Sequence, residues 1–283
     1  MSIQLIPYKP AGTIGSGPYV LREYKPDTGV ALSITYTGAY TDYGMVTMSD
    51  GARYRLLAFT SSGTLSIEQP VNCEVCVVGG GANGAKATKS KGGDGGAGAY
   101  LKNQSVSAYS GGSVVVGAGQ GVSSIADVSV NAVSGKNGGT GAGGQTAGTG
   151  DGISKYPFED TGYSLWAGKP HCAGGGQGVY ERKDYFTALI AGYRSGNGGT
   201  NGGNGYPESG NLVSNPSGGV GGSYGGGAGG SHTTNNGENA TYYGSGAGGG
   251  RCYEEDRVGL TFYNGGSGYQ GIVYIRIPEE QAA

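Results

Sequence analysis

Residues 218–230 read GGVGGSYGGGAGG, and the reading of this run decides the fold. It is one of six glycine packets. The others are GGDGGAGA at 92–99, GGTGAGGQTAG at 138–148, AGGGQG at 173–178, GNGGTNGGNG at 196–205 and GSGAGGG at 244–250. Of the 65 glycines, 57 lie between Gly79 and Gly271. Glycine loses more backbone freedom on ordering than any other residue, so fixing this stretch costs on the order of 60–110 kcal/mol. Either the packets stay flexible or backbone packs against backbone well enough to offset that cost.

The residues between the packets favour order. The segments 153–171, 179–195, 206–217, 231–243 and 251–264 are chemically varied and carry most of the region's aromatic and charged side chains. A flexible spacer has no reason to alternate monotonous packets with informative loops. Polyproline-II geometry supplies a way to order glycine: three residues per turn, about 3.1 Å rise, and amides and carbonyls that point sideways to neighbours. Collagen is excluded, because it needs glycine strictly every third residue and abundant proline, and proline is 10 of 283 here. The expected fold is mostly β and irregular: β-strands flanking a polyglycine-II bundle, a glycine-rich sandwich with exposed connecting loops.

Strand signals bracket the packets. Arg53–Phe59, Thr64–Ile67 and Val71–Val78 read as strands, the first two as a hairpin turning at Ser61-Ser62-Gly63. Ala99–Val106 and Ser113–Val116 are further candidates. GIVYIRI at 271–277 alternates, with Val273, Ile275 and Ile277 on one face and Ile272, Tyr274 and Arg276 on the other. A short helix is expected over Lys183–Tyr193, with Asp184 as its N-cap. This divides the chain into an N-terminal attachment segment, 1–50, and a glycine-rich domain, 51–283, with strands at 53–78 and 271–277 around packets at 79–270.

Composition removes several function classes. The net charge of −2 gives no electrostatic footprint for nucleic acid, and no signal peptide or apolar span for membrane insertion is visible. A protein made in the cytosol, and used there or released by lysis, fits. Cys73 and Cys76 have CxxC spacing, but on a strand positions three apart face opposite ways. The four cysteines therefore read as small buried hydrophobes rather than as a metal site. Gly79-Gly-Gly-Ala-Asn-Gly84 fits a GxGxxG pattern but runs into further glycine instead of a helix, so no nucleotide or other cofactor is expected. Glu159-Asp160 and Glu254-Glu255-Asp256 read as solvated loop charges.

Tyrosine dominates the aromatic residues, 22 against 4 Phe and 1 Trp. Tyrosine couples a rigid ring to a polar tip and suits recognition surfaces. The candidate binding residues are Tyr156, Phe158, Tyr163, Trp166, Tyr180, Tyr185, Tyr193, Tyr242, Tyr243, Tyr253 and Tyr263.

FTSSGTLSI, then CEVCVVGGG, then repeated packets with tyrosine-bearing segments, then GGSGYQGIVYIRIP, resembles the glycine-rich domains of bacteriophage tail fibres. The packet-and-loop pattern is similar to the distal long-tail-fibre adhesins of T-even-type phages, over roughly residues 51–278. The resemblance implies a polyglycine-II sandwich whose loops recognise a bacterial outer-membrane protein or surface glycan, without catalysis. It implies a place on the virion, at a tail fibre or tail tip; the N-terminal segment lies outside the resemblance and is expected to meet other tail proteins. A structural cap or adaptor of the fibre or baseplate is the alternative. A polysaccharide-cleaving fibre enzyme and an ice-binding module are further readings.

Overall fold

The computed structural model describes residues 32–89, 92–126, 128, 131–132, 156–183, 190–193, 218–222, 224–255 and 257–282. The packets at 138–148 and 196–205 lie outside these residues. The described chain is mostly β with almost no helix. Its strands are β1 (Ile34–Tyr36), β2 (Tyr40–Thr47), β3 (Arg53–Phe59), β4 (Gly63–Val78), β5 (Leu101–Val115), β6 (Ser123–Ile125) and β7 (Asn131–Ala132). After them come β8 (Tyr180–Lys183), β9 (Ile190–Tyr193), β10 (Cys252–Glu255), β11 (Gly259–Phe262) and β12 (Ile272–Pro278). The helical elements are a single 3-10 turn at Pro157–Glu159 and the short α1 at Glu279–Ala282.

The larger sheet has the order β2-β3-β12-β4-β5-β6-β7, with β1 on β4. β12 is antiparallel to β3, with Ile275 opposite Leu57, and antiparallel to β4, with Ile275 opposite Val75. The expected hairpin between β3 and β4 is thus not formed: β12 lies between them. The two short strand expectations at 64–67 and 71–78 are one long strand. The register of β4 against β5 shifts between Ser66 and Val71, around Pro70, where a missing amide suits a bend better than a ladder. The first half of β4 pairs with β1 and the second half with β12, so the sheet curls over itself. Strands β1 and β2 also place residues 34–47 in this sheet, so the boundary expected at residue 50 cuts through it.

The alternation of β12 settles where the core sits. Val273, Ile275 and Ile277 join Leu57, Phe59, Val75 and Val77 inside the curl, with Leu65, Ile67 and Val114 from the far side. Ile272 and Tyr274 join Leu56, Ala58, Cys76 and Val78 on the outer face. Strands buried on both sides need two covers. The second cover is the segment 156–172, which contributes Phe158, Trp166 and Cys172. Asp160 clamps it: its carboxylate accepts from the Ser49 amide at 3.0 Å, and its carbonyl accepts the Trp166 indole N–H at 2.5 Å. Arg276 on the same face lies between the rings of Tyr54 (4.4 Å) and Phe158 (4.5 Å) and pairs with Glu74 at 2.9 Å. Cys73 and Cys76 fall in the inner and outer cores respectively, so their opposite facing follows the strand period.

The glycine segments bond sideways with a period of three. Gly244–Cys252 shows the pattern in full. Gly246, Gly249 and Cys252 donate to the carbonyls of Ala173, Gly176 and Val179. Ala247 and Gly250 donate to Ala82 and Ala85, and Gly248 and Arg251 donate to Glu238 and Asn235. Its carbonyls serve three other neighbours: 244, 247 and 250 accept from Ala99, Gly96 and Gly93; 246 and 249 from Gly227 and Gly230; 245, 248 and 251 from Tyr269, Gly266 and Tyr263. Every amide from 246 to 252 and every carbonyl from 244 to 251 is thereby satisfied inside the protein. Gly244–Gly250 are all buried, so backbone is the core at this place. Such closeness excludes side chains: a Cβ on Gly248 would sit well inside 3.0 Å of the Ala228 carbonyl oxygen.

The smaller sheet, β11-β10-β8-β9, continues directly from the glycine segments at one end. Residues 190–193, where the helix over Lys183–Tyr193 was expected, form β9 and pair antiparallel with β8; 184–189 lie outside the described residues. Here Glu181 is fully buried and pairs with Arg251, which is also buried. His232 Nδ1 lies 3.3 Å from the same carboxylate.

Candidate functional site

Where the glycine segments meet the outer face of β2, β3 and β12, tyrosines from four separate stretches converge. Each is positioned by a local backbone device. Tyr43 sits in a β-bulge of β2, where the pairing with β3 shifts between Asp42 and Met45 and Gly44 adopts φ +66°. The bulge turns Tyr43 outward, leaving it 41% exposed. Tyr224 and Gly225, both at positive φ, make the turn between two glycine segments, and Tyr224 is 45% exposed. Tyr242 and Tyr243 precede Gly244, which also has positive φ, and Tyr269 comes from the final glycine segment.

The rings touch edge to face. Tyr224 meets Tyr242 at 4.8 Å between centroids and 89°, and Tyr243 meets Tyr269 at 5.6 Å and 71°. Below them His171 is fully buried, 4.9 Å from the Tyr242 ring, with Nε2 3.1 Å from the Tyr274 hydroxyl. Burial pushes the His171 imidazole down to about 3, and pushes the Tyr242 phenol up to about 12 with help from neighbouring tyrosines. The Tyr243 and Tyr274 phenols are raised as well, first by burial. At neutral pH His171, Tyr242, Tyr243 and Tyr274 are therefore uncharged. The cluster frames a pocket of about 240 Å³, whose lining includes Tyr43, Tyr224, Tyr242, Tyr243, Thr41 and Lys169.

A second, more open groove of about 580 Å³ is polar and is lined by Thr234, Asn236, Glu238, Asn239 and Asn264 among others. The Asn236 and Asn239 side chains, three residues apart, accept from the amides of Asn264 (3.0 Å) and Ser267 (2.8 Å). These asparagines extend the period-three lattice with side chains where no further segment among the described residues covers it.

The residues expected from sequence divide into three groups. Tyr242 and Tyr243 lie in the tyrosine cluster, whereas Tyr163 packs edge-on against Trp166, 4.8 Å between ring centroids, at the outer core. Trp166 is fully buried and Phe158 nearly so; with the partly buried Tyr156 they cover the outer core of the sheet, and burial removes Trp166 and Phe158 as contact surface. Tyr180, Tyr253 and Tyr263 lie at the other end of the glycine segments. Tyr180 is buried with its hydroxyl on Glu254, and the Arg251 guanidinium lies over the rings of Tyr253 (4.7 Å) and Tyr263 (5.9 Å). Tyr185 and the side chain of Tyr193 fall outside the described residues. Sequence reasoning missed Tyr43, Tyr224, Tyr269 and Lys169. The available signal was a tyrosine next to, or inside, a glycine run, where a Cβ fits only if it points out of the packed backbone.

No family profile matches this chain, and no curated protein or solved structure matches it either. No helix among the described residues is long and apolar enough to cross a membrane.

Proposed function

We propose that this protein is a non-enzymatic adhesin of a bacteriophage tail fibre or tail tip, and that the tyrosine cluster is its contact surface for a bacterial receptor. The observation that carries the reading is the convergence of Tyr43, Tyr224, Tyr242, Tyr243 and Tyr269, presented on a backbone-bonded support. Rigid amphipathic rings on a preorganised support give affinity at low entropic cost. His171 is sealed beneath the cluster and neutral, which suits packing rather than proton transfer at pH 7.

The support itself is proposed to be a polyglycine-II bundle. Three donor directions and three acceptor directions, each recurring every third residue along Gly244–Cys252, give one segment six neighbours. A helix with three residues per turn produces that arrangement.

The test is binding of the purified, labelled chain to a panel of intact Gram-negative bacteria. At least one strain is expected to bind. The double variant Tyr43→Ala/Tyr224→Ala, checked for an unchanged melt, is expected to bind it at least tenfold more weakly, since buried tyrosine anchors contribute about 1–2 kcal/mol or more each. Undiminished binding by that variant, or binding to no strain, would count against the reading.

A further inference from the structure

We propose that the pocket framed by the tyrosine cluster takes one acidic sugar unit, a hexuronate of a bacterial surface polysaccharide, with Lys169 receiving its carboxylate. This rests on the adhesin reading and names the ligand class of the same site.

Size comes first. At about 240 Å³ the pocket lies below the roughly 300–1,000 Å³ of sites for larger organic ligands, so it suits a single ring. A pyranose has apolar C–H faces and a rim of hydroxyls. Tyr43, Tyr224 and Tyr242 offer ring faces and edges together with phenolic hydroxyls. Thr41 and Thr60 add aliphatic hydroxyls. The Thr60 hydroxyl already donates to the Ala39 carbonyl at 3.3 Å, which leaves its lone pairs to accept from a sugar hydroxyl.

Charge decides between a neutral and an acidic sugar. Lys169 is the charged residue of the lining. It forms no ion pair among the described residues, and the carboxylates of neighbouring elements are engaged elsewhere. Asp42 pairs with Arg55 at 2.7 Å, and Asp160 accepts from the amides of Ser49, Gly162 and Tyr163, each at 3.0 Å. Burial raises the Tyr242 and Tyr243 phenols of the lining, which keeps them neutral. The Lys169 backbone is fixed by its own amide, which donates to the Trp166 carbonyl at 2.8 Å. Lys169, a partly buried residue within a tyrosine-rich lining, selects an anion, and the tyrosine and threonine hydroxyls select one that sits on a hydroxylated ring. An acidic side chain of a protein receptor would use the ammonium but leave the tyrosine and threonine hydroxyls of the lining unmatched.

The experiment measures binding of the purified chain to trisaccharides carrying glucuronate or galacturonate, each beside its neutral glucose or galactose counterpart. An acidic trisaccharide is expected to bind about tenfold or more tightly than its neutral partner, the size of a charge-assisted hydrogen bond. Lys169→Gln is expected to remove that preference and Lys169→Arg to keep part of it, with both variants melting as the parent does. Equal affinity for acidic and neutral forms, or a preference that survives in Lys169→Gln, overturns the proposal. Intact cells separate the two levels of the argument. Cell binding abolished by protease but indifferent to removal of acidic polysaccharide overturns the sugar and leaves the adhesin reading standing. Binding to neither cells nor trisaccharides removes both.

Discussion

Replacing Gly248 by alanine tests whether backbone is the core of this protein. The added Cβ would meet the Ala228 carbonyl oxygen well inside 3.0 Å, and the obstacle is backbone, which has no rotamer to change. Ala228 or residue 248 must therefore move. Three hydrogen bonds are at stake: Gly248 N–H to the Glu238 carbonyl (2.9 Å), Gly266 N–H to the Gly248 carbonyl (2.8 Å) and Glu238 N–H to the Ala228 carbonyl (2.8 Å). Each buried group left unsatisfied costs about 1–3 kcal/mol, so two or three lost bonds amount to about 2–9 kcal/mol. That is a large part of the roughly 5–15 kcal/mol that holds a domain folded. In a linker flexible in both the folded and the unfolded state the same change acts on both alike and leaves stability unchanged. The two readings thus differ by several kcal/mol. Urea unfolding followed by the fluorescence of the buried Trp166 gives the answer. Gly168→Ala is the control: φ is +69° but the space is open, so the expected cost is only the left-handed penalty of about 1–2 kcal/mol. A Gly248→Ala protein as stable as the parent would refute the reasoning.

Two further outcomes are expected. Burial raises Glu181 above the ordinary carboxylate value of 4.5, opposed by Arg251 and His232. Folding therefore favours its protonated form, and stability from this group is full below pH 4.5 and lost as pH rises through the raised value. Glu181→Gln should flatten this part of the pH profile of the melting temperature. Arg251→Met, which strips the buried carboxylate of its cation, should cost about 3–5 kcal/mol at pH 7 and regain stability as pH falls; identical pH profiles for the parent and both variants would contradict this. Burial also pushes the Cys73 thiol up to about 12, and Cys73, Cys76, Cys172 and Cys252 are all buried thiols outside any disulfide. A thiol reagent at pH 8 should find none of them in the native protein and all of them in urea; rapid native labelling of any one would show that its cover opens.

The local periods were legible in the sequence, and the long-range partners were not. Arg53–Phe59 forms a strand over the expected residues, and the two faces of 272–277 bury as their alternation requires. Nothing local to Ser61-Ser62-Gly63 reveals that a strand from 210 residues away will lie between the two segments it joins. The role of Trp166 had a missed cue. Leu56, Cys76, Val78 and Ile272 make the outer face of the sheet apolar too, and such a face demands a lid; the only tryptophan is part of that lid. Tyr43 was hidden because a β-bulge, signalled only by the following glycine, turns it outward. Tyr224 was hidden because it stands inside a packet that reads as featureless.

The position of β12 and of Gly244–Cys252 also sets the order in which the molecule can be completed. Both occupy the middle of their layers, yet both come late in the sequence: β12 closes two strand edges left open by residues 53–78, and Gly244–Cys252 supplies partners to six segments, of which five precede it. During synthesis the earlier parts emerge with their hydrogen-bonding groups facing an empty centre. Neither layer can be completed before residues 244–278 arrive, a demanding schedule for a chain whose contacts are so long-range.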